Sequence, residues 1–228
     1  MQTKHNFNGR LSIPSISPGT AALPFEMQPI MRLADEVVHG YELLYRGARP
    51  VSWSDVDRSV LAYFASRAQS NPVLYVNLSN ETILTTADEV FHEAAQKNKL
   101  VFELSESFVD VGKFDALADK VNTLSAAGVR FAIDDFGSGL DGMKRLYAFN
   151  RIESVKIDGG LLATTMSRPD AESALKALVA NWRSSAIITV AECVENDEML
   201  SFARGLGVDL VQGWHVDALL APSALLTA

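Results

Sequence analysis

The sequence predicts an α/β fold: a (β/α)8 barrel of the TIM type, modified by an antiparallel first strand. Three observations predict it. Short apolar runs alternate with amphipathic helical stretches through most of the chain, which implies right-handed crossovers and a parallel sheet. Two extended runs come before them, joined by a link too short for a crossover. The extended runs together number eight in one uninterrupted domain, which favours closure over an open sheet.

The elements follow in order. "FEMQPIMRL" (25–33) and "VVHGYELLYR" (37–46) flank the polar link Ala34-Asp35-Glu36 and read as an antiparallel hairpin. The six later strands are "VLYVN" (73–77), "LVFELS" (100–105), "VRFAIDD" (129–135), "SVKID" (154–158), "IITVAE" (187–192) and "DLVQG" (209–213). Between them, Val56, Val60, Leu61 and Phe64 share a helical face in 54–69. Ile83, Leu84, Val90, Phe91 and Ala94 do so in 81–97, and Phe114, Leu117, Val121 and Leu124 in 112–127, with Gly128 as a C-terminal stop. Ala171, Ala174, Leu175, Leu178 and Trp182 mark another helix, and Met199, Leu200 and Ala203 the last. Residues 1–22 hold Pro14, Pro18 and Gly19 and no signal-peptide apolar core, so they read as a flexible leader to a barrel domain over 23–228.

Composition narrows the function. Of the 228 residues, 48% are hydrophobic, enough for a substantial core. A formal charge of −8 argues against DNA as a partner, because a nucleic-acid backbone selects a basic face. The single cysteine, Cys193, excludes an intrachain disulfide and suits a reducing compartment. No run of about 20 apolar residues is present, so no membrane span is expected and a cytoplasmic location is.

The chemistry lies at the strand ends. "FAIDDFGSG" carries a strand into two adjacent carboxylates, Asp134 and Asp135, which repel each other unless a cation or a cap accounts for them. The other strands also finish on polar groups: Asn77, Glu103, Lys156, Glu192 and Gln212, with Glu42 inside the second run. In a (β/α) barrel these ends converge on one mouth. Each residue alone has an ordinary role. Asn77 can cap a helix, Glu42 can pair with Arg46, and Glu192 can favour a helix dipole. Their joint occurrence outweighs those roles. Five carboxylates against one lysine require cations, and hard oxygen ligands suit Mg²⁺ or Mn²⁺. Two such ions bring the pocket near neutrality, so it can accept a phosphodiester.

Two motif matches fail. Gly137, Gly139 and Gly142 have dinucleotide-fingerprint spacing, but Asp134 and Asp135 would face the pyrophosphate unneutralised. Asp135-Phe136-Gly137 matches the kinase metal motif, without the Gly-rich loop or the catalytic loop of that fold.

From Phe25 to about Leu220 the chain resembles the EAL domain family, which hydrolyses the bacterial messenger cyclic di-GMP. "MQPIMRL", "YELLYR", "VNLS", "FELSES", "IDDFGSG", "VKID", "AECVE" and "VQGW" follow in family order. The resemblance implies a modified TIM barrel and hydrolysis of cyclic di-GMP to linear pGpG by in-line attack of an activated water. It implies that Glu42, Asn77, Glu103 and Asp134 hold one ion, with Asp134 bridging to a second near Asp135 and Glu192. Lys156 would orient the attacking water, and Glu192 would help activate it. Gln28, Leu44, Arg46 and Gln212 resemble dinucleotide contacts, and Glu106 resembles the residue that steadies the Asp-Asp-Phe-Gly loop. A homodimer and a regulatory protein partner are further implications. The alternatives are a non-catalytic cyclic di-GMP receptor and a protein-binding regulator on the same fold.

The sequence departs from the family pattern in places. Leu43 stands for the usual Ala, Tyr45 for an aliphatic residue, and Ser138 for Thr. The segment from Gly47 to Asn71, which lines part of the substrate groove in the family, is shorter. Leu140-Asp141-Gly142 differs from a hydroxyl-rich run, and Gly159-Gly160 replaces bulkier residues. Cys193 takes a position normally Gly, and is expected to pack against helices as a small apolar group.

Overall fold

A computed structural model describes residues 10–17, 21–68, 72–105, 111–139 and 142–221. Among the described residues nine strands form one sheet in sequence order: β1 Arg10–Ile13, β2 Leu23–Arg32, β3 Val38–Tyr45, β4 Val73–Leu78, β5 Leu100–Leu104, β6 Arg130–Phe136, β7 Ser154–Ile157, β8 Ile188–Ala191 and β9 Leu210–Val211. Strands β2 to β9 close on themselves, because β2 also pairs with β9 through Met31↔Val211 and Arg32↔Leu210. Strand β2 runs antiparallel to both neighbours, and β3 to β9 are parallel throughout. This is the modified barrel that the sequence predicts. The hairpin turns at Glu36, whose positive φ of 55° lets its N–H reach the Arg32 carbonyl at 2.9 Å.

Strand β1 is a correction. Arg10–Ile13 lies in the stretch expected to be a flexible leader, yet it pairs antiparallel with Leu23–Glu26 outside the closed barrel. Ile13 is fully buried, so this segment contributes apolar area to the core.

The helices are α1 Trp53–Ser66, α2 Asn80–Thr85, α3 Asp88–Lys97, α4 Val111–Ala126, α5 Gly142–Ala148, α6 Gly159–Met166, α7 Pro169–Ser184, α8 Asp197–Leu206 and α9 Trp214–Leu220. The expected faces are the buried ones. Val56, Val60, Leu61 and Phe64 pack inward from α1, each contributing roughly 1.5–3 kcal/mol. Leu117, Val121 and Leu124 do the same from α4, which ends at Gly128 with φ 94°. The helix expected over 81–97 is two helices. Ser79 Oγ accepts from the Thr82 N–H and starts α2 early, and Thr86 then adopts extended backbone. Ser79 is itself fixed by Asp57, whose Oδ2 accepts from the Ser79 N–H at 2.9 Å and from Ser79 Oγ at 2.7 Å. In α7, Leu175, Val179 and Trp182 are buried while Ala174 is exposed. Among the described residues no helix is long and apolar enough to cross a membrane.

Candidate metal centre at the barrel mouth

The barrel interior has two layers. Ile30, Tyr75, Val101, Ala132, Val190 and Leu210 form an apolar floor and pack on one another. One strand period toward the mouth stand Gln28, Asn77, Glu103, Asp134, Glu192 and Gln212 respectively. Alternation along a strand sends residues two apart to the same face, so each polar group rises directly above its floor residue. Strands β3 and β7 follow the pattern, with Glu42 above Gly40 and Lys156 above Ser154. Eight strands thus bring eight polar side chains from distant points of the chain to one rim.

Asp134 and Asp135 share the site because β6 is irregular there. Its register with β7 shifts between Ile133 and Phe136, and Asp135 has a left-handed φ of 50°. A regular strand would turn one carboxylate outward; Asp accepts the left-handed region better than most residues. Oxygens of Asp134, Asp135 and Glu192 consequently lie within 4.8 Å of one another, close enough to share one ion. Arg145 on α5 supports the irregular backbone, donating to the carbonyls of Leu104 at 3.0 Å and Asp134 at 2.8 Å.

Lys156 lies at the centre. It is 1% exposed, and its ammonium is 2.7 Å from Glu103, 2.8 Å from Glu192, 2.9 Å from Asp134 and 3.1 Å from Glu42. Glu42 is the best-supported acid. Its Oε1 accepts from Asn77 at 2.7 Å, and its Oε2 accepts from Gln212 at 2.6 Å and from Lys156. Burial pushes the Glu42 carboxyl up, but Lys156, Gln212 and Asn77 outweigh it and hold it below the usual range. Burial drives Glu103 well above that range, and repulsion from Glu42 and Asp134 adds to the effect. Burial likewise pushes Glu192 up to about 8 against the pull of Lys156. Burial disfavours the Lys156 ammonium, yet its acidic neighbours overcome this and raise it well above the ordinary lysine value. The donor set fits hard divalent ions: carboxylates and an amide oxygen, with more acid than the single lysine can balance.

The expected substrate contacts divide. Gln28 and Gln212 join the cluster, Gln212 donating to Gln28 Oε1 at 2.9 Å. Gln28 then donates to Asp217 on α9 at 3.0 Å, which extends the network to a residue that the sequence reading passed over. Leu44 is half-buried on the same face of β3 as Glu42. Arg46 is exposed and paired with Glu26 at 2.8 Å, and does not pair with Glu42. Glu106 lies outside the described residues, as do Leu140 and Asp141.

Two glycines shape the rim. A Cβ on Gly213, whose φ is 149°, would stand 2.4 Å from the Val194 nitrogen, so only glycine lets β9 turn into α9 beside Gln212. A Cβ on Gly159 would stand 2.4 Å from Cys193 Cβ and 2.9 Å from its Sγ. Cys193 does lie against a helix, at Gly159 on the first turn of α6, but it is exposed rather than buried, with a left-handed φ of 53°, because the chain turns sharply after Glu192. The two positions are thus sterically coupled. The side chain added at Cys193 fills the space that Gly159 leaves.

Fold and site define the class: a mixed (β/α) barrel carrying a carboxylate-rich centre of the divalent-metal type at its mouth. The chain belongs to the EAL domain family, whose model matches residues 55–218. It is 31% identical over 118 residues to the cyclic di-GMP phosphodiesterase PdeF of Escherichia coli, covering 52% of this chain and 16% of PdeF. It is 25% identical over 169 residues to the blue light- and temperature-regulated antirepressor BluF of the same organism, covering 70% of this chain and 41% of BluF. Among solved structures it resembles BlrP1 of Klebsiella pneumoniae in a calcium and cyclic di-GMP complex. That match has a TM-score of 0.69 and 25% identity, and covers 88% of this chain and 56% of BlrP1. The chain therefore spans less than half the length of either curated relative.

Proposed function

We propose that this domain hydrolyses cyclic di-GMP to linear pGpG with two Mg²⁺ or Mn²⁺ ions at the rim. One observation carries the proposal: four carboxylates from four strands of the barrel converge around a single ammonium, and two of them lie close enough to Asp135 for the three to share an ion. PdeF is by name a phosphodiesterase of this substrate, and BlrP1 binds it with calcium, which supports the same ligand here. Paired divalent ions supply charge neutralisation, polarisation of the phosphodiester and a lowered pKa for water.

The chain's own residues divide the work. Glu42, Asn77, Glu103 and Asp134 would hold one ion, and Asp134, Asp135 and Glu192 would hold the other. Lys156 would align the attacking water through its protons, and Glu192, 2.8 Å from that ammonium, would help activate it. Gln28, Leu44 and Gln212 line the dinucleotide groove on the β2, β3 and β9 side. Arg46 reaches a phosphate only by leaving Glu26, an exposed pair held by no more than about 1 kcal/mol.

A second reading, a regulator that acts on protein without turnover, is favoured by the match to BluF, an antirepressor by name. Incubation of purified protein with cyclic di-GMP and Mn²⁺, followed by chromatography of the nucleotides, separates the readings. Linear pGpG is the expected product. Saturable binding with no product would support the receptor, and neither binding nor product would support a regulator that acts on protein.

A further inference from the structure

We propose that Asp217 is a positioning residue for substrate binding: its carboxylate fixes the amide of Gln28, and so the order of donor and acceptor that Gln28 offers to cyclic di-GMP. The inference rests on the cyclic di-GMP reading above and adds a residue to which that reading gives no role.

Glu42, Gln212, Gln28 and Asp217 form a chain of hydrogen bonds whose direction is set from one end. Glu42 accepts from Asn77, from Lys156 and, at 2.6 Å, from Gln212, so Gln212 must turn its amide nitrogen toward it. The same nitrogen donates to Gln28 Oε1 at 2.9 Å. Gln28 therefore gives its oxygen to Gln212 and points its nitrogen away, where Asp217 Oδ2 accepts at 3.0 Å. Turned over, the Gln28 amide would set N–H against N–H at Gln212 and oxygen against a carboxylate at Asp217. Gln212 holds one end of that amide and Asp217 holds the other.

Asp217 is poorly placed as a stabiliser of the fold. Its Oδ1 is buried without a hydrogen-bond partner. Burial disfavours its charge, the Gln28 hydrogen bond offsets part of that, and Glu26 adds repulsion. The backbone at 217 is held without the side chain: Val216 is fully buried, the Asp217 N–H donates to the Gly213 carbonyl at 3.0 Å, and the Ala221 N–H donates to the Asp217 carbonyl at 2.9 Å. What the carboxylate adds is order in Gln28. With both neighbours engaged, Gln28 keeps one N–H and one lone pair in fixed places for a ligand in the groove. A loose carboxamide offers either order and loses that freedom on binding; this one has lost it beforehand.

Calorimetry with cyclic di-GMP and Ca²⁺, steady-state kinetics with Mn²⁺ and melting temperatures test this. The proteins are the wild type, Asp217→Ala, Asp217→Asn, Gln28→Met and the double variant of Asp217→Ala with Gln28→Met. Asp217→Ala is expected to weaken nucleotide binding and raise KM by about threefold to tenfold. Its kcat should stay within about twofold of wild type, because Glu42 keeps all three of its donors. Asp217→Asn keeps an oxygen for Gln28 without the charge, and should bind within about twofold of wild type. In the Gln28→Met background, Asp217→Ala should have no further effect on binding. Asp217→Ala binding as the wild type does, Asp217→Asn binding no better than Asp217→Ala, or additive losses in the double variant overturn the proposal while the hydrolysis reading stands. An Asp217→Ala protein that does not fold, or whose loss of binding tracks a lower melting temperature, makes the residue structural and also overturns it. A wild type that binds no cyclic di-GMP overturns both. Binding that follows the expected pattern with no pGpG formed supports this inference and sinks the hydrolysis reading alone.

Discussion

The floor and the rim of the barrel are built from the same strands, two residues apart, and obey opposite rules. The floor is apolar and closely packed, with Tyr75 and Val101 fully buried among neighbours of their own kind. The rim stores repulsion. Glu103 is as deeply buried as any floor residue, yet burial and its acidic neighbours disfavour its charge. A floor residue holds its position because burial stabilises it. A rim residue holds its position because the floor beneath and the helices outside fix the strand that carries it. Stability and chemistry are thus separated by one strand period.

Substitutions break that comparison most sharply. Glu42→Ala should lower hydrolysis about a thousandfold or more, while circular dichroism and melting show a folded protein. Tyr75→Ala, one floor position away on the neighbouring strand, should destabilise the fold by about 3–5 kcal/mol in denaturant unfolding. Any loss of turnover it causes should follow the unfolded fraction. If Tyr75→Ala spared stability and Glu42→Ala unfolded the protein, the two layers would not have separate roles.

The next effect is a pH dependence of opposite sign to that of an ordinary paired carboxylate. Glu103 and Glu192 have folded-state values above their unfolded ones, Glu192 at about 8. Between the unfolded carboxylate value and that point the native state holds more protons than the unfolded chain. The metal-free protein should therefore be most stable in mild acid and lose stability as pH rises toward about 8. Mn²⁺ should reverse the trend, because it replaces those protons and binds more tightly as pH rises. Melting temperatures at pH 6 and pH 8, with and without Mn²⁺, check both halves. A metal-free protein more stable at pH 8 would contradict the protonation assigned to the rim.

The smallest effect concerns the turn after Glu192. Gly159→Ala should lower turnover about tenfold by pushing Cys193 and shifting Glu192, with little change in melting. In a Cys193→Gly background the same substitution should be nearly harmless. A double-mutant cycle on kcat reads the coupling, and additive effects would show the two positions to be independent.

Much of this arrangement was legible in the sequence, for a physical reason. Period-two alternation and polar strand ends are local signals, so Asn77, Glu103, Asp134, Lys156, Glu192 and Gln212 could be placed on one rim from the residues alone. Signals that depend on tertiary contact were not legible. The pairing of β1 rests on Ile13 finding the core, and the break between α2 and α3 on Asp57 fixing Ser79. Arg145 and Asp217 carry no local motif, and each acquires its role only when a helix docks against the rim. The exposure of Cys193 followed from a backbone turn that its neighbours do not encode. The Asp134–Asp135 pair lies between these cases. Its chemistry could be read from two adjacent acids, but the register shift that turns both toward one point could not.

The most direct test of the metal centre is anomalous diffraction from crystals of the domain grown with Mn²⁺. The expected result is two peaks at the mouth, within about 2.0–2.6 Å of carboxylate oxygens, one by Asp134, Asp135 and Glu192 and the other by Glu42, Glu103 and Asp134. Peaks elsewhere on the molecule, or a mouth with no peak and Lys156 still bound to all four carboxylates, would contradict the account.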